Sequence, residues 1–483
     1  MPESALTAAD RIPLQDAMLA LSMVGDLSMG QPIDQSRRTA RLARWLAQSC
    51  MGAGAHLQVA GEVALLRWSG CTANAEDFTR LLGDDVRGRQ AMLDQTLNAA
   101  GQRAMRKTRP MAQVHCEVAG EVAVALGLDG PVEQGLRHVF EHFDGSGRPF
   151  GLRHPQIPEV VYQVVLAGDL EILSRAHGLE AALAWIDGQA DLRYPRSLVG
   201  ELRGHAKDWL QALQEPQAQA CAADASRDVP LTLVADVVDL KLSWLGGYSR
   251  RVAGLVHDAA ALMGLDATQQ GLLRQAALVH GMGRAAVPNR VWNLPGVLLE
   301  GDREQIRLAP YWTQRTCAQI PGLVQAGQLA AHGYERLDGS GYYRGLEADS
   351  LRPPQRLLAV ALAWEALLGE RPWRAAFDVP QAEQLLREQA QLGRFDAQCC
   401  EAVIAAARGE ARVAAAKVGN GVLSERETQV LYQISLGNSN KETAKVLGIS
   451  PSTVRTHVES TFRKLGCSTR AAATLKALTL GLL

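Results

Sequence analysis

The sequence predicts an all-α chain in three parts, on three observations. Apolar residues recur at helical spacing, as in Leu42, Trp45 and Leu46, and in Val252, Leu255, Val256, Ala259 and Met263. No run sustains the period-2 alternation of a half-buried strand. Two long stretches of text also repeat each other in register. At 483 residues the chain has room for about three domains. Two breaks with little periodic pattern divide it: 214–230, rich in Ala, Gln and Pro, and 408–421, ending in Gly-Asn-Gly. The expected domains are 1–213, 231–407 and 422–483, with the breaks as linkers.

Composition sets the class. With 47% hydrophobic and 21% charged residues, a largely disordered chain is excluded. The net charge of −1 hides an asymmetry, because residues 421–483 hold eight Lys/Arg against four Glu, a local +4. The rest holds 42 basic and 47 acidic residues, a net of −5. A basic tail on an acidic body points to contact with a polyanion. The eight cysteines form no C-x-x-C pair and are too sparse for a disulfide framework, so reduced thiols in the cytoplasm are expected. The first thirty residues carry Glu3, Asp10, Asp16 and Asp26 and no basic start, which predicts no secretory signal. The longest apolar stretch, 357–368, has 12 residues and contains Glu365, too short for a membrane span.

The repeat carries more than any single motif. EHFDGSGRPFGL (141–152) matches ERLDGSGYYRGL (335–346), and Ser36-Arg37-Arg38 matches Ser249-Arg250-Arg251. Ser36 and Gly70 are 34 residues apart, as are Ser249 and Gly283. His115 and Asp144 are 29 apart, as are Ala309 and Asp338. Between these blocks the first copy is longer by 19 residues. Two blocks in register with one length change argue for a tandem duplication. Asp144 and Asp338 open Gly-rich turns and are expected to bond their own backbone.

The second copy resembles the HD-GYP domain, an all-helical, metal-dependent phosphodiesterase family that hydrolyses cyclic di-GMP. The resemblance rests on SRRVAGLV (249–256), ALVHGMGRAAVPNRVWNLPG (277–296), RLAPYWTQR (307–315), ERLDGSGYYRGL and RLLAVALAWEALLGERPWR (356–374), about 140 residues in all. The first copy is a more distant version, seen through its register with the second. The family's chemistry needs His and carboxylate ligands around metal ions that activate water and polarise the phosphate. Carried over by position, the resemblance puts Tyr248, His280-Gly281, Ala309, Gly333-Tyr334 and Leu362 where ligands belong, and Arg284 where a Lys belongs. Only His280 survives there. The first copy has Gln35, Arg67-Trp68, His115, Val139-Phe140 and Asp169, so two ligand types remain. His138 and His332 sit one residue before the lost pair, and a one-residue slip turns a helical side chain by about 100°. On this reading no metal or other cofactor is expected, and His280, His115 and Asp169 read first as hydrogen-bonded core residues. The replacements turn a polar cage apolar and aromatic. The body is then either a filled scaffold or a pocket for an organic effector.

From Leu423 the text resembles the LuxR/FixJ-type helix-turn-helix module, over its whole length. Ser424 and Glu427 form a capping box, Gly437 ends the first helix, and Asn440-Lys441-Glu442 opens the second. Gly448-Ile449-Ser450 makes the turn, and Ser450 or Ser452 caps the third helix. Val454, Val458, Phe462 and Leu465 form its buried stripe. That leaves Thr453, Arg455, Thr456 and Glu459 to enter the major groove, with Lys441, Arg463 and Lys464 suited to phosphates. A fourth helix over 471–483 is the family's usual dimerisation surface. The leading expectation is a cytoplasmic transcriptional regulator that binds double-stranded DNA as a homodimer, its degenerate body sensing a small effector or serving as scaffold. The alternatives are a phosphodiesterase with weak residual activity and a protein-interaction module.

Overall fold

The computed structural model describes residues 10–105, 109–215, 227–409 and 422–483, and nearly all of their regular structure is α-helical. Most of both expected linkers (216–226 and 410–421) lies outside the described residues. The end of the first linker is a short strand, Asp228–Pro230, paired with Arg11–Pro13. Three residues are too few for alternation to show in the sequence. The chain forms two compact units, residues 13–227 and residues 228–483 with 10–12. The C-terminal module thus groups with the second copy.

In residues 13–227, helices Gln35–Met51, His56–Leu66 and Glu159–His177 pack on one another. In the second unit Tyr248–Leu262, Ala267–Val279 and Pro353–Leu368 do the same. The helical stripes are the buried faces: Leu42, Leu46, Val252, Val256 and Ala259 are fully buried. Local signals fix several helix starts. Asp266 with Gln269 and Asp378 with Gln381 form capping boxes at Ala267–Val279 and Val379–Gln391.

The duplication is visible as repeated hydrogen bonding. Asp26 accepts from Ser36 N and Oγ, and Asp239 accepts from Ser249 N and Oγ. Glu141 accepts from the amides of Phe150 and Leu152 as Glu335 does from those of Arg344 and Leu346. Asp144 and Asp338 accept from the amides of Ser146 and Ser340, the turn bonds expected from the sequence. Two glycines mark close backbone crossings. A Cβ at Gly70 would lie 2.2 Å from the His115 carbonyl oxygen, and one at Gly283 would lie 1.9 Å from that of Ala309. Both contacts join positions paired by the spacing of the repeat.

Candidate functional site

In the second copy the helix Ala267–Val279 ends at His280, which caps it, and delivers the imidazole to the centre of the domain. His280 Nδ1 donates to the Ala277 carbonyl at 2.6 Å, leaving Nε2 as the acceptor. Arg284 Nη2 donates to Nε2 at 2.8 Å and to the Tyr334 hydroxyl at the same distance. The Arg284 guanidinium lies over the Tyr248 ring at 5.2 Å and 3.8 Å from Asp239. Tyr248 donates to the Leu362 carbonyl at 2.9 Å. A Cβ on Gly333 would meet Leu362 Cδ1 at 2.5 Å, and Gly281 is held close to Arg284 Nη1. Ala309 packs with Val287 and Val291, and Thr313 beside it donates to the His280 carbonyl. Tyr248, His280, Gly281, Arg284, Gly333, Tyr334 and Leu362 thus converge, with Ala309 at the edge. Burial and the Arg284 charge hold His280 well below the ordinary histidine range. Burial pushes the Asp239 carboxyl up to about 6, despite the nearby guanidinium.

The first copy brings its positions together differently. Arg67 caps His56–Leu66 as His280 caps its own helix. Its Nη2 donates to Gln35 Oε1 at 2.9 Å and Thr39 Oγ1 at 3.2 Å, and its guanidinium lies over Trp68 at 4.6 Å. Gly168 makes room for it, since a Cβ there would sit 1.9 Å from Arg67 Nη1. His115 donates from Nε2 to the Arg67 carbonyl at 2.8 Å, its Nδ1 faces Cys71 Sγ at 3.6 Å, and its ring lies 4.7 Å from Phe140. Burial lowers His115 to about 4, so it is neutral at physiological pH. Burial raises Asp169, against the pull of Arg193 at 3.1 Å and the Tyr194 hydroxyl. These residues surround a cavity of about 500 Å³ lined by Arg67, Trp68, His115, Val139, Phe140 and Asp169 among others. That volume is ordinary for a small-molecule site.

Asp26, Asp239 and the central roles of Arg67 and Arg284 were missed in the sequence. A signal existed: Asp-Leu stands ten residues before Ser-Arg-Arg in both copies. Among the described residues no group of three or more His, Cys, Asp and Glu could hold a metal ion. His138 and His332 donate from Nδ1 to the Gln134 and Gln328 carbonyls.

The C-terminal module has four helices: Glu425–Ser435, Asn440–Leu447, Pro451–Leu465 and Arg470–Thr479. The first two carry capping boxes, Ser424/Glu427 and Ser439/Glu442, and Gly448 takes the left-handed conformation in the turn. Ser450, not Ser452, caps the third helix. Val454 and Leu465 are buried, whereas Val458 and Phe462 are half-buried. Ser452, Thr453, Arg455, Thr456, Glu459 and Arg463 are exposed on the third helix, as is Lys441 on the second. Arg455 pairs with Glu459 at 2.8 Å across one turn. Asn440 accepts from Arg470, and Lys464 Nζ pairs with Glu427 at 2.7 Å, so both also hold the module together. Burial opposes the Glu427 charge, but bonds from Lys464, Ser424 and Ser460 bring it down to about 2. The fourth helix ends at Thr479, short of the expected 483, because Leu482 N turns back to the Ala477 carbonyl. This helix packs on Thr232–Asp239 of the second copy.

Among the described residues no helix is long and apolar enough to cross a membrane. Residues 232–399 match the HD domain family, and residues 421–477 match the LuxR family of bacterial regulatory proteins. The chain is 24% identical over 437 residues to the 3'3'-cGAMP-specific phosphodiesterase 3 of Vibrio cholerae, covering 82% of this chain and 95% of that protein. It is 48% identical over 54 residues to the nitrate/nitrite response regulator protein NarP of Escherichia coli, which covers 11% of this chain and 25% of that one. A crystal structure of a V. cholerae cyclic GMP-AMP-specific phosphodiesterase (V-cGAP3) superposes with a TM-score of 0.57 at 21% identity, over 82% of this chain and 98% of that chain. That likeness establishes a shared fold. The chain carries an HD domain over residues 232–399 and, C-terminal to it, a DNA-binding domain of the LuxR regulatory family.

Proposed function

We propose that this protein is a transcriptional regulator in which the HD body senses an effector and does not hydrolyse phosphodiesters. One observation carries the choice of sensor over enzyme: Arg284 Nη2 sits 2.8 Å from His280 Nε2, the lone pair a metal would need. The donor set does not fit a catalytic ion. Leu362 and Ala309 offer no side-chain donor, and burial raises Tyr248 further above its ordinary value, away from the phenolate a divalent ion prefers. A cation already attached to the chain takes the place of a bound one. In the C-terminal module Thr453, Arg455 and Thr456 are the proposed base-reading face, Lys441 and Arg463 the phosphate contacts, and the active form is a homodimer on a two-fold symmetric site.

The competing reading is hydrolysis of 3'3'-cGAMP, and the extended similarity to the Vibrio phosphodiesterase favours it. Purified full-length protein separates the two. We expect well under one equivalent of Fe, Mn or Zn, no turnover of 3'3'-cGAMP or cyclic di-GMP with added Mn²⁺, and duplex DNA binding that disappears on deletion of 421–483. Stoichiometric metal together with cleavage abolished by His280→Ala would establish the enzyme instead.

A further inference from the structure

The first copy carries 19 residues more than the second between matched positions. They fall between Gly70 and His115, and the segment that contains them supplies Phe78, Arg89, Met92 and Met111 to the wall of the 500 Å³ cavity. The second copy has the shorter connection, and there Val287, Val291 and Ala309 close together with Trp292, Leu298 and Ile306. The insertion-bearing segment therefore supplies part of the wall of the first-copy cavity.

The lining has a specific chemistry. Four arginines, Arg67, Arg89, Arg148 and Arg193, face one carboxylate, Asp169. Three of the arginines stack on aromatic rings that also line the cavity: Arg67 on Trp68 at 4.6 Å, Arg89 on Phe78 at 4.4 Å and Arg193 on Trp185 at 5.3 Å. Arg89 is held in place by the carbonyls of Ser28 and Cys71 and by Asn74 Oδ1, with the buried Asp85 carboxylate 3.9 Å from its Nη1. The two lining histidines, His115 and His142, are both lowered to about 4 by burial and add no charge. Alternating guanidinium and ring faces suit a flat π-system bearing negative charge: ring faces stack, and the cationic excess in a low-dielectric chamber attracts the anion.

We propose that the first-copy cavity is the effector site and takes a small planar aromatic anion, a single ring system bearing a carboxylate, sulfonate or phosphate. This deepens the sensor reading above and rests on it.

The test uses 1-anilinonaphthalene-8-sulfonate as the anionic probe and N-phenyl-1-naphthylamine as its uncharged counterpart, titrated into full-length protein with DNA binding measured on the same preparation. We expect one saturable sulfonate site per chain, tryptophan quenching through Trp68 and Trp185, and at least tenfold weaker binding of the uncharged probe. Met92→Trp, at a half-buried position, and Ala112→Phe should each fill the cavity and weaken the sulfonate at least tenfold, with near-UV circular dichroism unchanged. Arg193→Gln should shrink the preference for the anion over the neutral probe. Equal affinity for the two probes in the wild type would overturn the assignment whether or not the variants fold. Undiminished binding in folded Met92→Trp, or displacement of the sulfonate by stoichiometric 3'3'-cGAMP, would also overturn it. Loss of DNA binding with the sulfonate site intact would instead remove the regulator reading and leave the cavity assignment standing.

Discussion

Arg284 donates to the one nitrogen of His280 that could bind a metal, and the same guanidinium nitrogen also reaches the Tyr334 hydroxyl. A buried cation so placed neutralises Asp239 and satisfies His280 together. Arg284→Met should therefore destabilise the protein by about 3–5 kcal/mol, the usual cost of breaking a buried charge pair from one side. Urea unfolding reads that loss. Metal content of the variant should stay well below one equivalent, and stoichiometric uptake would mean that the guanidinium had been covering a competent site.

Asp26 gives a pH signature. Burial lifts its carboxyl to about 7, although Ser36 donates to it twice and Arg67 lies nearby. An unfolded aspartate titrates near ~3.9, so the folded state holds the proton more tightly. The associated stability is complete below about pH 4 and is lost as pH rises to about 7. Asp26→Asn keeps an oxygen acceptor and removes the titration. Measured against wild type by thermal unfolding, it should gain relative stability between pH 4 and pH 8; a pH-independent difference would contradict the burial argument.

On DNA, the two kinds of contact should separate. Lys441→Ala should weaken all sequences alike and reduce the salt dependence by about one ion. Arg455→Ala should cost about 1–3 kcal/mol on the cognate site and relax base preference. Arg455 is already paired with Glu459, so Glu459→Ala should leave binding intact or strengthen it at low salt. Gel shifts on cognate and scrambled duplexes at several salt concentrations read all three.

The C-terminal module is docked closely on the second copy. A Cβ on Gly246 would lie 2.8 Å from the Ser435 carbonyl oxygen, and one on Gly437 would lie 2.7 Å from Ser243 Cβ. The fourth helix shares this contact through Leu478, whose Cδ2 is 3.8 Å from a Cβ built on Gly247. The sequence resemblance places the expected dimerisation surface on that helix, and pairing through it would compete with the docked arrangement. Gly246→Val should loosen the contact, raise dimerisation in sedimentation experiments and increase DNA affinity. Unchanged dimerisation and affinity would show that the contact has no regulatory weight.

The sequence by itself determined the helical class, the duplication and the C-terminal module. These rest on spacing and end-capping, which covalent geometry enforces locally. The contact of Gly70 with His115, and of Gly283 with Ala309, joins positions already matched by counting residues. The convergence of Tyr248, His280, Tyr334 and Leu362 followed from the same register. Only the tertiary structure decided what fills each centre. Lys464 read as a phosphate contact, and the fold also sets Glu427 beside it. The 19-residue insertion was visible as length, but not as a wall. Arg67 reaches its place because Gly168, a hundred residues further on, leaves no side chain there, and because Gln35 and Thr39 supply acceptors from a third helix. Whether each centre becomes a plug or a chamber depends on volumes and charges contributed by distant segments, and no local pattern encodes their sum.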